Sequence, residues 1–434
     1  MQINPMVKVS KRRLFALAFA LLALSACEAA PAPVTAQAAV LDTQRLEAVA
    51  AALQDEVDRG VRAGFVAGIV TRDGETYATA IGMADIENGA PMRVDTRFRI
   101  ASMTKPIVTA AMMQLADRGV VKLSDPVARY VPAFANARVA TSEEPDETGA
   151  IPTRPPARAI TIRDLLNHTA GIGYVFDSAS ALDRMYLEAN LFETEGSLPE
   201  RIERIARIPL YADPGTEWRY SYATDVAGLV IEAASGLPLE TYLKRNIFEP
   251  LGMRDTEFFY DATDLDRAAA LHGFAEDGAL RKLQDDAPGG QYNKGGYGVI
   301  SGGAGLISTV RDYLRFCEMM LREGELDGKR VLSRASVRQM MSDILPPEAT
   351  ARLWERDYAS FALGGTVVTN PGAAGGVAAL GEWSWTGLWD TWFVINPVDG
   401  VAAVLLAQTQ PGPHVPPSQA RAIVKQIAYG AVRR

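Results

Sequence analysis

Cysteine and histidine are scarce in this chain, with two Cys and three His among 434 residues. One cysteine, Cys27, falls in an N-terminal segment that reads as an export leader, which leaves Cys317 nothing to pair with in an internal disulfide. Cys317 lies at helical spacing from Leu314 and Leu321, and core packing is its expected role. His168, His272 and His414 stand singly, so neither a zinc cluster nor a Cys–His nucleophile is indicated, and no metal or organic cofactor is expected. Positive charge is not in excess either. With 44 Lys and Arg against 52 Asp and Glu, the formal net charge is −8, which excludes the basic face that a nucleic-acid partner requires.

Long apolar runs are also missing, since residues 14–24 are too short to cross a bilayer as a mature helix. Preceded by Lys8, Lys11, Arg12 and Arg13, they read as the apolar part of an export signal. The run closes on Leu24-Ser25-Ala26-Cys27, which resembles a bacterial lipobox. Cys27 would then be lipidated and would anchor the protein to a membrane. Cleavage after Val34-Thr35-Ala36 is the alternative. Glu28 after the cysteine is similar to outer-membrane rather than inner-membrane lipoproteins, so the expected location is the periplasm or the outer membrane. Residues 28–40, rich in Ala and Pro, read as a tether.

The whole chain is 48% hydrophobic and 22% charged, an ordinary globular composition with enough length for a two-lobed domain. Asp42 is placed to cap a helix whose Leu46, Val49, Leu53 and Val57 share a face. Residues 65–71 and 76–81 flank Asp73-Gly74 and predict a hairpin. Residues 382–395 and 401–408, separated by Asn396-Pro397-Val398-Asp399-Gly400, predict a second one, and residues 418–428 a closing helix. The middle carries helical patterns at 198–208, 223–234 and 239–248, with little strand signal between residues 106 and 290. Thr161 and Asp164 form a capping-box pattern, and residues 140–159 read as a surface loop. Strands at both ends around a helical middle imply an α+β fold, in which an antiparallel sheet flanked by helices forms an α/β sandwich. Residues 41–105 and 300–434 would build that lobe, and residues 106–299 an inserted all-helical lobe.

One Ser-x-x-Lys occurs, Ser102-Met103-Thr104-Lys105, at the start of a predicted helix. Residues three apart on a helix are neighbours, and the positive field of a helix N-terminus favours a developing oxyanion. A serine nucleophile with a lysine base is therefore indicated, although chance supplies such a pattern in many chains. A proton relay is still wanted. Tyr220, which follows the Pro214-Gly215 turn and precedes the helix near Ala223, is a candidate. His168 has no matching acid and no Gly-x-Ser-x-Gly elbow occurs, so it reads as a packing or hydrogen-bonding residue. Asp225 reads as a tie on the Tyr220 loop, and residues 302–305 as a tight glycine loop against the sheet.

Ser102-Met103-Thr104-Lys105 behind Phe98-Arg99-Ile100-Ala101, Leu165-Leu166-Asn167-His168-Thr169-Ala170-Gly171-Ile172, Pro214-Gly215-Thr216 before Tyr220-Ser221, and residues 302–312 together resemble the serine β-lactamase-related family. That family joins class C β-lactamases, D-amino-acid-specific carboxypeptidases and peptidases, and family VIII carboxylesterases. The resemblance spans residue 42 to the C-terminus and implies a β-lactamase/transpeptidase-like fold. It makes Ser102 the acylated nucleophile, Lys105 its base and Tyr220 the first residue of the family's Tyr-x-Asn. Trp385-Thr386-Gly387 aligns with the family's Lys-Thr-Gly, and the oxyanion donors would be the backbone N–H groups of Ser102 and Leu388.

Two departures bear on substrate. Trp385 stands where β-lactamases carry a lysine for the substrate carboxylate, and Tyr222 stands where an asparagine contacts the acylamide. Family VIII esterases are similar at the first position, so a small-molecule ester of small or medium chain length is the expected substrate. Trp383, Trp385 and Trp389 would form an aromatic wall, with core packing as the alternative for Trp383 and Trp389. The rival readings are β-lactamase or D-amino-acid peptidase or transacylase chemistry in the same site, and a non-catalytic ligand-binding lipoprotein of the cell envelope.

Overall fold

A computed structural model of the chain describes residues 40–174, 178–189, 197–260, 265–283, 300–347, 349 and 357–433. The leader and Cys27 lie outside the described residues, as does the tether before Val40. The main sheet has eight strands, all antiparallel to their neighbours: β1 (Gly64–Thr71), β2 (Thr76–Asp85), β3 (Ala90–Pro91), β4 (Ala359–Phe361), β5 (Thr366–Val368), β6 (Trp383–Gly387), β7 (Thr391–Asn396) and β8 (Val401–Leu406). Their order across the sheet is β4-β5-β6-β7-β8-β1-β2-β3. The N-terminal hairpin therefore pairs through β1 with β8 near the C-terminus.

Every residue of β1 is buried, because the sheet is covered on both faces. Phe65, Ala67 and Ile69 point to a layer made by α1 (Thr43–Asp58) and α10 (Ala420–Ala431), together with Val394 and Leu405. Val66 and Val70 alternate to the other face, where they join the core that includes Val310, Leu314 and Cys317 of α8 (Val310–Leu321). Gly68 lets that helix approach, since a Cβ there would lie 2.4 Å from Val310 and 2.7 Å from Leu314. The caps are local: Asp42 accepts the Arg45 N–H, and Thr309 accepts that of Asp312.

The helical body contains α2 (Thr104–Asp117), α3 (Ile162–Leu166), α4 (Ala181–Ala189), α5 (Leu198–Ala206), α6 (Ala223–Ser235) and α7 (Leu239–Leu243), with α9 (Arg334–Met340) beside α2. The capping box of Thr161 and Asp164 forms as the spacing predicts. Three expectations need correction. Residues 382–395 are not one strand but two, because Asp390 takes a left-handed φ of 67° and the chain reverses between β6 and β7. The predicted helix over 239–248 changes at Lys244 into a π-helical turn. The middle also holds two short ribbons, Val139–Ala140 with Thr153–Arg154 and His272–Phe274 with Leu280–Lys282.

Candidate active site

Ser102 stands at the seam between sheet and helical body. The short strand Phe98–Arg99 pairs with Ile307–Ser308, and the Ile100 N–H continues that pairing by donating to the Leu306 carbonyl at 3.0 Å. Ala101 then adopts φ 45°, a conformation that costs a non-glycine residue energy and is held only by its surroundings. Ser102 follows in a 3-10 turn, Ala101–Met103, that feeds α2. The sequence placed Ser102 in the helix itself, whereas it occupies the tighter turn before it. Tyr313 of α8 donates from its hydroxyl to the Met103 carbonyl at 3.0 Å, which ties this turn to the sheet layer.

Lys105 is fully buried. Its Nζ lies 3.3 Å from Ser102 Oγ and donates to the Gly303 carbonyl at 2.8 Å. The Tyr220 ring sits 4.6 Å from that nitrogen and the Tyr174 ring 5.6 Å. The serine, the lysine and the tyrosine singled out in the sequence are thus brought together. Tyr220 is delivered by a loop fastened to the chain after α3. The Gly215, Arg219 and Tyr222 N–H groups donate to the carbonyls of Thr169, His168 and Gly173, at 2.7, 2.9 and 3.1 Å.

Opposite this loop, β6 brings its end to the Ser102 turn. A Cβ on Gly387 would lie 2.3 Å from the Ile100 carbonyl and 2.1 Å from Thr391 Oγ1, so only glycine fits this approach. Thr391 Oγ1 itself donates to the Ile100 carbonyl at 3.1 Å. Thr386 and Leu388 are exposed beside it. Trp385 packs against Tyr220 and Phe361, with ring centroids 5.4 and 5.1 Å away.

The aromatic wall does not form as a continuous surface. Trp383 is fully buried against Phe393, and Trp389 packs with Ala101 and Leu271. Tyr222 is fully buried as well, its ring 4.5 Å from that of Tyr174, so it shapes the site from behind and offers no surface of its own. Tyr174 and Phe361 were not picked out from the sequence, because aromatic residues in these positions carry no spacing signal.

Asp225, on α6, is buried and ties a different loop from the one expected. Its Oδ1 accepts from Ser301 Oγ at 2.5 Å and from the Gly303 N–H at 3.1 Å. Burial pushes its carboxyl pKa up, against the opposing pull of Lys105. Residues 301–303 thereby present the Gly303 carbonyl to Lys105, a backbone contact that no side-chain motif announces. His168 is buried with Nδ1 3.0 Å from Ser221 Oγ, and burial together with Lys105 holds its pKa well below the ordinary value.

A helix-flanked antiparallel sheet, with a serine and a buried lysine at the head of the first helix of an inserted helical body, defines the class of β-lactamase-like folds. The β-lactamase family model matches residues 49–428, and the chain belongs to that family. It is 35% identical to protein Rv1367c of Mycobacterium tuberculosis, over 83% of this chain and 89% of that one. It is 34% identical to esterase EstB of Burkholderia gladioli, over 85% and 92% of the two chains. Among solved structures it superposes on EstCE1, described as a hydrolase with promiscuous acyltransferase activity, with a TM-score of 0.72 and 26% identity, covering 89% of this chain and 98% of that one.

Proposed function

We propose that the protein is a serine hydrolase that works through an acyl-enzyme and acts as a carboxylesterase on small or medium-chain esters. The observation that carries this is the contact of 3.3 Å between Lys105 Nζ and Ser102 Oγ, inside a family that includes an esterase. Ser102 Oγ attacks the acyl carbon as its proton passes to Lys105 Nζ, and the N–H groups of Ser102 and Leu388 receive the oxyanion. The bond to the leaving oxygen then breaks, and that oxygen takes a proton through Tyr220. Water adds to the acyl-enzyme, and the acid leaves with Ser102 restored.

Trp385, where β-lactamases carry a lysine, supports esters over β-lactams. Transfer of the acyl group to an alcohol instead of water is a second reading, favoured by the acyltransferase activity described for EstCE1. Turnover of p-nitrophenyl butyrate, nitrocefin and a D-Ala-D-Ala peptide, with and without an alcohol acceptor, separates these outcomes. Ser102→Ala is expected to lose at least about a thousandfold in kcat on the ester, and a fluorophosphonate should label Ser102 in the parent. An active Ser102→Ala variant overturns the mechanism, and a folded parent that takes no label supports a non-catalytic binding role.

A further inference from the structure

His168 is a fully buried histidine beside the site that the proposed chemistry leaves unused. Its backbone has φ 59°, a left-handed conformation that His, Asn and Asp tolerate better than bulkier residues. From there it touches three consecutive residues. Its carbonyl accepts the Arg219 N–H at 2.9 Å. Its ring lies 4.8 Å from the Tyr220 ring. Its Nδ1 is hydrogen-bonded to Ser221 Oγ at 3.0 Å, and that hydroxyl accepts the N–H of Ala223, the first residue of α6, at 3.2 Å. The Phe361 and Trp218 rings close on the imidazole at 5.4 and 6.4 Å, and its Nε2 is buried with no hydrogen-bond partner among the described residues. Filling this space with an apolar ring would avoid that cost, so packing alone does not account for an imidazole here.

We infer that His168 is the positioning residue of this site, holding Tyr220 over Lys105 by gripping the chain on either side of it. The inference rests on the role proposed above for Tyr220. A shift of about 1 Å in a reacting group can cost on the order of a hundredfold in rate.

The test measures kcat, KM and Tm on p-nitrophenyl butyrate for His168→Ala, His168→Asn, Ser221→Ala and the His168→Ala/Ser221→Ala double variant, with Ser102→Ala alongside. Folded His168→Ala is expected to lose roughly 10- to 100-fold in kcat with KM within about twofold of the parent. Asn, which keeps a hydrogen-bonding atom at the δ position and suits the left-handed backbone, should recover most of the loss. Ser221→Ala should also lower kcat, and the double variant should lose less than the product of the two single losses, because the two side chains share the His168–Ser221 contact. A folded His168→Ala variant with parental kcat, or one whose Tm alone falls, overturns the inference. If His168→Ala does not fold, a parental kcat in Ser221→Ala does so instead. Activity surviving in Ser102→Ala would sink the acyl-enzyme reading itself, whereas loss there beside a parental His168→Ala rejects only the positioning role.

Discussion

Gly303 joins the acidic and basic side chains of the site through its backbone alone. Its N–H donates to Asp225 Oδ1 and its carbonyl receives Lys105 Nζ. A Cβ at this residue would lie 2.4 Å from Asp225 Oδ2 and 3.3 Å from Lys105 Nζ, so a methyl group must displace the carboxylate or the loop. Overpacking of this kind costs about 1–3 kcal/mol, and the displaced carbonyl no longer aligns Lys105 with Ser102. Gly303→Ala is therefore expected to lower both Tm and kcat, the latter by at least about tenfold, as measured by thermal denaturation and ester hydrolysis. A variant with parental kcat would show that the carbonyl is not what places the lysine. The Ser102–Lys105 pair was legible because its geometry follows from spacing within one turn. The Gly303 contact was not, because a carbonyl from a loop 198 residues away in sequence has no residue-type signature.

At the scale of elements, the reversal between β6 and β7 sets where Gly387 and Leu388 lie. Asp390 carries it with φ 67° and with a carboxylate that meets Arg62 Nε and Arg421, each at 2.6 Å. Burial opposes its charge, yet Arg421 and Arg62 together hold its pKa below the usual carboxylate range. Asp390 is part-buried and Arg421 is a third exposed, so removing the carboxylate mainly strips the buried Arg62 of a partner, a loss of about 1–3 kcal/mol, and a Cβ in the left-handed region costs about 1–2 kcal/mol more than glycine does. Asp390→Ala is expected to destabilise by roughly that first amount, with Asp390→Gly about 1 kcal/mol milder, in urea denaturation. Equal losses in the two variants would mean that the backbone conformation carries no strain. The turn was missed in the sequence for the same physical reason. Asp73-Gly74 is a local hairpin signal and was legible, whereas Asp390 reverses the chain with arginines 328 and 31 residues away.

Across the whole molecule, strands at both chain ends with helices between were enough to imply a sheet assembled from distant segments, and the structure adds which strands meet, β1 pairing with β8. What the pattern left unsaid was how the far segments are pinned, and His272 is one pin. Its N–H donates to Gln408 and its carbonyl accepts from Gln410, at 3.0 and 2.8 Å. Its Nε2 accepts the Ile86 N–H at 3.4 Å just past β2, which requires an unprotonated nitrogen. Burial lowers its pKa to about 4, against the opposing effect of Asp85. The neutral ring is favoured in the fold, so this contribution is complete above the unfolded pKa of about 6.5 and is lost as pH falls from there through 4. A shift of that size corresponds to about 3 kcal/mol. Asp312 works in the other direction, since burial raises its pKa to about 6, and its contribution is present below the ordinary carboxylate pKa and lost as pH rises through 6. The parent curve therefore conceals both, and variants separate them. His272→Gln keeps an acceptor for Ile86 without titrating, so its Tm should gain on the parent's as pH falls from 6.5 to 4. Asp312→Asn should show the opposite trend, gaining on the parent as pH rises from 4 to 6. Parallel Tm curves for parent and His272→Gln over that interval would show that the buried imidazole is not an acid-sensitive pin of the fold.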